Sequence, residues 1–212
     1  MIKISLLKFY LITFILSISF YSVGNTENEF PLDPAITYGK LENGFTYYIR
    51  ENQTPKDKVS IKLIIKAGSI MEEENQLGLA HLLEHMAFNG SKNFPKRKID
   101  EYMSSIGLNL GSHYNASAGF LETSYVYEIP TKNDKDVEVA LKILTDISKN
   151  LSLEPEAFER ERKIVEEEWR GDIGGSQNYI NEFHKVMFKN SRFNERKPIG
   201  TLDIIQNFKY QD

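Results

Sequence analysis

His81 and His85 stand four residues apart, and Glu84 immediately precedes the second of them. If the stretch 78–90 is helical, the two imidazoles lie one above the other on one face, with Glu84 projecting close by. Two neutral imidazoles one turn apart make half of a zinc site. A carboxylate beside them can take a proton from a metal-bound water. The order H-x-x-E-H is the inverse of the commoner H-E-x-x-H pattern. The same spacing also fits two polar residues at the margin of a buried face, so a third ligand downstream has to decide between the readings.

The stretch 158–170 offers candidates. Glu161 and Glu168 are seven residues apart, two helical turns, and therefore share a face. One of them can complete a metal shell while the other stands one step out. By spacing alone Glu166 or Glu167 serves as well. Ile164 and Val165, between them, are expected to bury. The opposing reading is a solvated helix face in which Glu159 to Glu168 are laced with Arg160, Arg162 and Lys163.

These residues need a scaffold, and the remaining sequence supplies one. In 78–90, Leu79, Leu82, Leu83 and Met86 recur at helical spacing and are expected to face a core, with Asn89-Gly90 as the stop. Glu72 to Glu74 precede this helix and read as a solvated charge run that favours its N-terminus. Asn43-Gly44 between two runs of strand formers predicts a hairpin over 37–50. The run 59–67 reads as a strand inside a sheet. Then come a helix over 96–106, an irregular or edge strand over 108–118 and a strand over 122–129. A long amphipathic helix spans 134–151. Pro155 opens the acidic helix, 171–175 breaks it, and a further helix spans 177–188 before a turn at 198–200. His113 reads as a surface or hydrogen-bonding residue, with lining of the cleft as the alternative, His184 as a helix-surface residue and Trp169 as core packing. The pattern predicts an α+β fold, a mixed and mostly antiparallel sheet packed by helices.

The chain has 212 residues, 41% hydrophobic and 26% charged, with a net charge of −4. That is enough for one domain with a proper core, and the acidic balance argues against a nucleic-acid partner. There is no cysteine, so disulfides, thiolate ligands and a cysteine nucleophile are excluded. Lys3 and Lys8, an apolar run over 9–20 and small residues at 22–24 predict a secretory signal peptide over 1–24. A flexible lead-in over 25–35 follows, then one domain over 36–212 with no membrane span after leader removal.

His81-Leu-Leu-Glu-His85-Met-Ala-Phe-Asn-Gly90, followed by Phe94-Pro95, resembles the zinc helix of the pitrilysin, insulin-degrading enzyme and mitochondrial processing peptidase family. The stretch 159–170 is similar to that family's second motif. The segment 188–201, with Pro198-Ile-Gly-Thr201, resembles its bacterial periplasmic PqqL-like branch. The resemblance implies that one zinc ion per chain is held by His81, His85 and Glu168. It implies that Glu84 is the general base acting on a zinc-bound water and that Glu161 assists. It implies that Asn115 and Ala116 lie at a sheet edge where peptide substrate binds; position 118 is Ala where the family pattern has Thr. The expected activity is zinc-dependent endopeptidase cleavage of peptides or small unfolded proteins, in the periplasm, with residues 1–212 alone expected to bind zinc but to cleave peptides poorly or not at all. Family members are two-part clamshells, so the sequence is expected to hold the first, metal-site domain, C-terminally truncated. Its expected partner is a second peptidase half or further C-terminal domains. The other expectation is a noncatalytic or incomplete member acting as a binding or assembly subunit of a split peptidase.

Overall fold

A computed structural model of the chain describes residues 31–171 and 174–210. The leader expected over 1–24 lies outside the described residues, as do the first residues of the lead-in. The chain divides into two compact units, Met1–Thr54 and Pro55–Asp212.

In the first unit, β1 (Ile36–Lys40) and β2 (Thr46–Arg50) form the expected hairpin. Gly44 takes φ +88° at the turn, and the Asn43 side chain accepts from the Phe45 amide at 3.1 Å. That is the left-handed backbone for which Asn-Gly is suited.

In the second unit, β3 (Lys58–Ile65), β4 (Tyr114–Ala118) and β5 (Thr123–Pro130) form an antiparallel sheet in the order β3-β5-β4. β5 is therefore central, and Tyr125, Tyr127 and Ile129 on one of its faces are buried. The expectation that the 59–67 run lies inside the sheet is corrected. β3 is an edge strand among the described residues, and Ile64 is exposed. An apolar run reports burial of side chains, not how many neighbours hydrogen-bond to the backbone. β4 occupies the other edge, as its small residues suggested.

Helices α1 (Leu79–Met86), α2 (Lys98–Ser105), α3 (Asp134–Lys149), α4 (Pro155–Gly171), α5 (Gly175–Met187), α6 (Arg192–Glu195) and α7 (Leu202–Asn207) complete the unit. None of the described helices is long and apolar enough to cross a membrane. One core lies between the sheet, α2 and α3, where Ile99, Met103, Ala140, Ile143 and Ile147 meet Leu63, Tyr125 and Tyr127. The Asn133 side chain caps α3 by accepting from the Lys135 amide. α2 starts at Lys98, two residues later than expected, because Lys96 and Arg97 have φ of +40° and +56°.

A second core joins α1, α4 and α7 through Leu82, Met86, Phe158, Val165 and Ile205. Trp169 packs at its edge, as expected. Two expected core residues are not in it: Leu83 is 37% exposed and Ile164 is 42% exposed. Each sits one position from a fully buried neighbour, Leu82 and Val165. A turn of 100° per residue carries it off the narrow buried stripe. α1 is also shorter than the expected three turns, ending at Met86. Behind it, the buried Asp146 carboxylate accepts from Ser91 Oγ, the Asn93 amide and the Asn93 and Asn150 side chains. The loop leaving the histidine helix is thereby tied to α3.

Candidate metal centre

α1 and α4 lie against each other and bring His81, His85 and Glu168 together. Nε2 of His81 and Nε2 of His85 are 3.3 Å apart. Glu168 Oε2 stands 3.6 Å from the first and 3.5 Å from the second. The three atoms form a nearly equilateral triangle. A tetrahedral ion with bonds of about 2.0–2.1 Å separates its ligands by about 3.4 Å. The triangle thus has the dimensions of one face of such a shell, and its donor set of two imidazoles and a carboxylate suits zinc. Manganese and cobalt accept the same atoms.

Glu84 is buried and places Oε2 3.9 Å from His81 Nε2. Ligating atoms of His81, Glu84 and His85 all lie within 4.8 Å of one another. Glu161, also buried, turns inward, with Oε2 3.4 Å from His85 Nδ1. The two glutamates one turn of sequence spacing left open point elsewhere: Glu166 and Glu167 both pair with Arg170. The acidic helix is only in part the solvated, ion-paired face of the opposing reading: Glu159 and Glu167 are exposed and paired to arginines, but Glu161 faces inward. Arg162 is buried, bonded to Glu159 and to the backbone carbonyls of Ile205 and Gln206.

Burial and the charge of His85 push the His81 pKa down to about 4, so this ring is neutral at pH 7. Burial also opposes charge on His85, but the Glu161 hydrogen bond and the charges of Glu168 and Glu84 outweigh it and raise its pKa. Glu161 shows the complementary shift: despite burial, its bond to His85 holds its pKa below the usual carboxylate value. Glu84 is raised, chiefly by burial and further by the charge of Glu168. A buried carboxyl with a raised pKa is poised to accept and return a proton. Nδ1 of His81 is buried with no hydrogen-bond partner among the described residues.

The N-terminus of α1 is anchored by Glu72, which corrects the expectation of a solvated charge run over 72–74. Its carboxylate is buried and accepts from the Gly78 and Ala80 amides at 3.0 and 2.8 Å. Those amides have no partner within the helix. The Glu72 carbonyl is held in turn by the Arg196 guanidinium at 2.9 Å. Glu72 lies nine residues before His81, too far for any local spacing rule to connect them.

A cavity of about 460 Å³ opens beside His81 and Glu168, walled by Ala118, Phe120, His184, Lys197 and Ile199 among others. His184 belongs to this cavity wall and not to a helix surface. Its ring sits 5.3 Å from that of Phe188 and 6.3 Å from that of Phe120. The signal available in sequence was that His184 falls three residues after Asn181, on one face of α5. Asn115 and Ala116 pair with Val126 and Tyr125 on the edge strand β4, two and more residues short of the cavity wall. His113 Nδ1 accepts from the Asn109 amide at 3.1 Å, the hydrogen-bonding role expected.

Residues 47–197 match the family model described as Insulinase (Peptidase family M16). The chain is 37% identical over 179 residues to the probable zinc protease PqqL of Haemophilus influenzae, covering 84% of this chain and 19% of that protein. The crystal structure of the periplasmic protease PqqL from Escherichia coli superposes with a TM-score of 0.82 at 33% identity, over 85% of this chain and 20% of that one. The structure of the first half of the same protease matches equally, over 39% of its length. The chain thus spans about a fifth of the length of the PqqL proteins of Haemophilus influenzae and Escherichia coli.

Proposed function

The chain belongs to the insulinase family of peptidases, and on that premise we propose that it carries the metal-binding half-site of a zinc-dependent endopeptidase. His81, His85 and Glu168 hold one zinc ion. Zinc bound there supplies a Lewis acid that polarises a peptide carbonyl and lowers the pKa of a water. Glu84, buried beside the histidines, would be the group that accepts a proton from water and returns one to the leaving nitrogen. Glu161 fixes the His85 ring through Nδ1, so that Nε2 faces inward. The edge of β4, unpaired by any strand among the described residues, takes the peptide as an added strand beside Asn115 and Ala116, which gives affinity with little dependence on sequence. The substrate class is peptides or small unfolded proteins. The compartment we propose is the periplasm, because the leader pattern agrees with the periplasmic relative.

The observation that carries this reading is the triangle of His81 Nε2, His85 Nε2 and Glu168 Oε2, with sides of 3.3 to 3.6 Å. The test is to measure metal content and fluorogenic-peptide cleavage together, on wild type and Glu84→Gln. One zinc in both, with cleavage lost only in the variant, supports the assignment. Absence of zinc from the wild type overturns it. A second reading is a noncatalytic binding or assembly subunit of a split peptidase. Stoichiometric zinc without turnover by the wild type selects that one.

A further inference from the structure

The cavity beside His81 and Glu168 carries a cation that the hydrolysis described above does not use. Lys197 lies in its wall, with Asn181, His184, Phe120, Pro198 and Ile199. Its ammonium donates to Asn181 Oδ1 at 2.7 Å. An ammonium has three donors, and this bond orients the group while using one. Glu182, the acid whose charge reaches Lys197, is already ion-paired to Lys185 at 2.5 Å. Burial lowers the Lys197 pKa, and the charge of Lys185 lowers it further. A cation partly withdrawn from water gains most from a carboxylate brought to it.

The backbone beneath Lys197 is fixed on both sides. The preceding Arg196 is 2% exposed and its carbonyl accepts from Ser69 Oγ at 2.6 Å. After it, the Gly200 amide bonds the Lys197 carbonyl at 2.9 Å, closing a turn with Pro198 in its second position. Gly200 has φ +75°, and a Cβ there would lie 2.3 Å from the Leu77 carbonyl oxygen. The turn is therefore pressed against the residues that lead into α1. Lys197 and His81 are presented to the same cavity by elements that are packed on each other.

We propose that this cavity is a subsite for a carboxylate carried by the bound peptide, with Lys197 as its counter-ion and His184 and Asn181 beside it. The proposal rests on the peptidase reading and names its substrate class: peptides with an acidic group near the scissile bond. The other acid in the cavity wall, Glu168, is engaged by His81 and His85, with Oε2 3.6 and 3.5 Å from their Nε2 atoms. Phe120, Pro198 and Ile199 cover the methylene stem of an acidic side chain. The carboxylate has two sources, an Asp or Glu side chain or the C-terminus of the peptide.

The test is fluorescence anisotropy on the zinc-loaded chain. The probes are labelled, C-terminally amidated peptides in which one Glu is moved along a neutral sequence, with Gln or Phe at the matched position. One unamidated neutral peptide completes the set. We expect one Glu position to bind at least tenfold more tightly than its Gln counterpart. Lys197→Gln abolishes that difference and Lys197→Glu reverses it, with zinc content unchanged in both. A gain confined to the unamidated peptide, and lost in Lys197→Gln, assigns the same site to a chain terminus. Equal binding of Glu and Gln peptides, preference for Phe, or no binding by a zinc-loaded sample overturns the subsite while leaving the metal centre standing. Failure to bind zinc strikes the peptidase reading instead.

Discussion

Glu161 reaches from the first half of α4 to within 3.4 Å of His85 Nδ1. The contact links two helices 76 residues apart in sequence. It leaves Nε2 of the same ring directed at His81 and Glu168. The opposed shifts of the two groups, His85 upward and Glu161 downward, have this one bond as a shared cause.

Replacing Glu161 with Gln should therefore weaken zinc binding without removing a ligand. Loss of a carboxylate partner to a ligating histidine costs about 10–100-fold in metal affinity. Competition with a chromophoric chelator measures it. Affinity within twofold of wild type would show that Glu161 does not orient the ring.

Glu168→Gln should remove most bound zinc, because it takes away the one carboxylate of the triangle. Glu166→Gln and Glu167→Gln, whose carboxylates face Arg170, should leave it at one per chain. Elemental analysis after dialysis separates the three variants.

Zinc affinity should fall as pH falls, because a proton on a ligating imidazole competes with the metal. The raised pKa of His85 means that this begins at a higher pH than for a free imidazole. His81, at about 4, releases no competing proton in that range. The expected slope is one proton, about tenfold in affinity per pH unit, steepening only near pH 4. A two-proton slope already at pH 6 would contradict the shift assigned to His81.

Leu82→Ala removes a fully buried side chain from the core between α1, α4 and α7. It should cost about 2–5 kcal/mol. Leu83→Ala, at a position 37% exposed, should cost less than about 1.5 kcal/mol. Denaturant unfolding of the two variants compares them directly.

Gly200→Ala should destabilise the unit by about 2 kcal/mol, since alanine must adopt φ +75° and meet the Leu77 carbonyl. For a chain of this size that lowers Tm by roughly 4–8 °C, read by calorimetry.

The sequence by itself determined the chemistry on offer. The spacing of His81, Glu84 and His85 and the seven-residue interval from Glu161 to Glu168 are local, and a helix converts each into a shared face whatever surrounds it. Asn43-Gly44 and Pro198-Ile-Gly200 marked their turns for the same reason, since turn geometry is set by the residues within it. Tertiary structure alone decided the rest. Which of three adjacent glutamates meets the histidines depends on how α4 is rotated against α1, and Val165 and Phe158 set that by filling the core they share with Leu82 and Met86. Which leucine of an adjacent pair is buried depends on the width of that contact. The anchoring of α1 by Glu72 and the cavity shared by His81, His184 and Lys197 join residues up to 116 positions apart. No periodicity records such contacts, because they arise only when separate elements pack together.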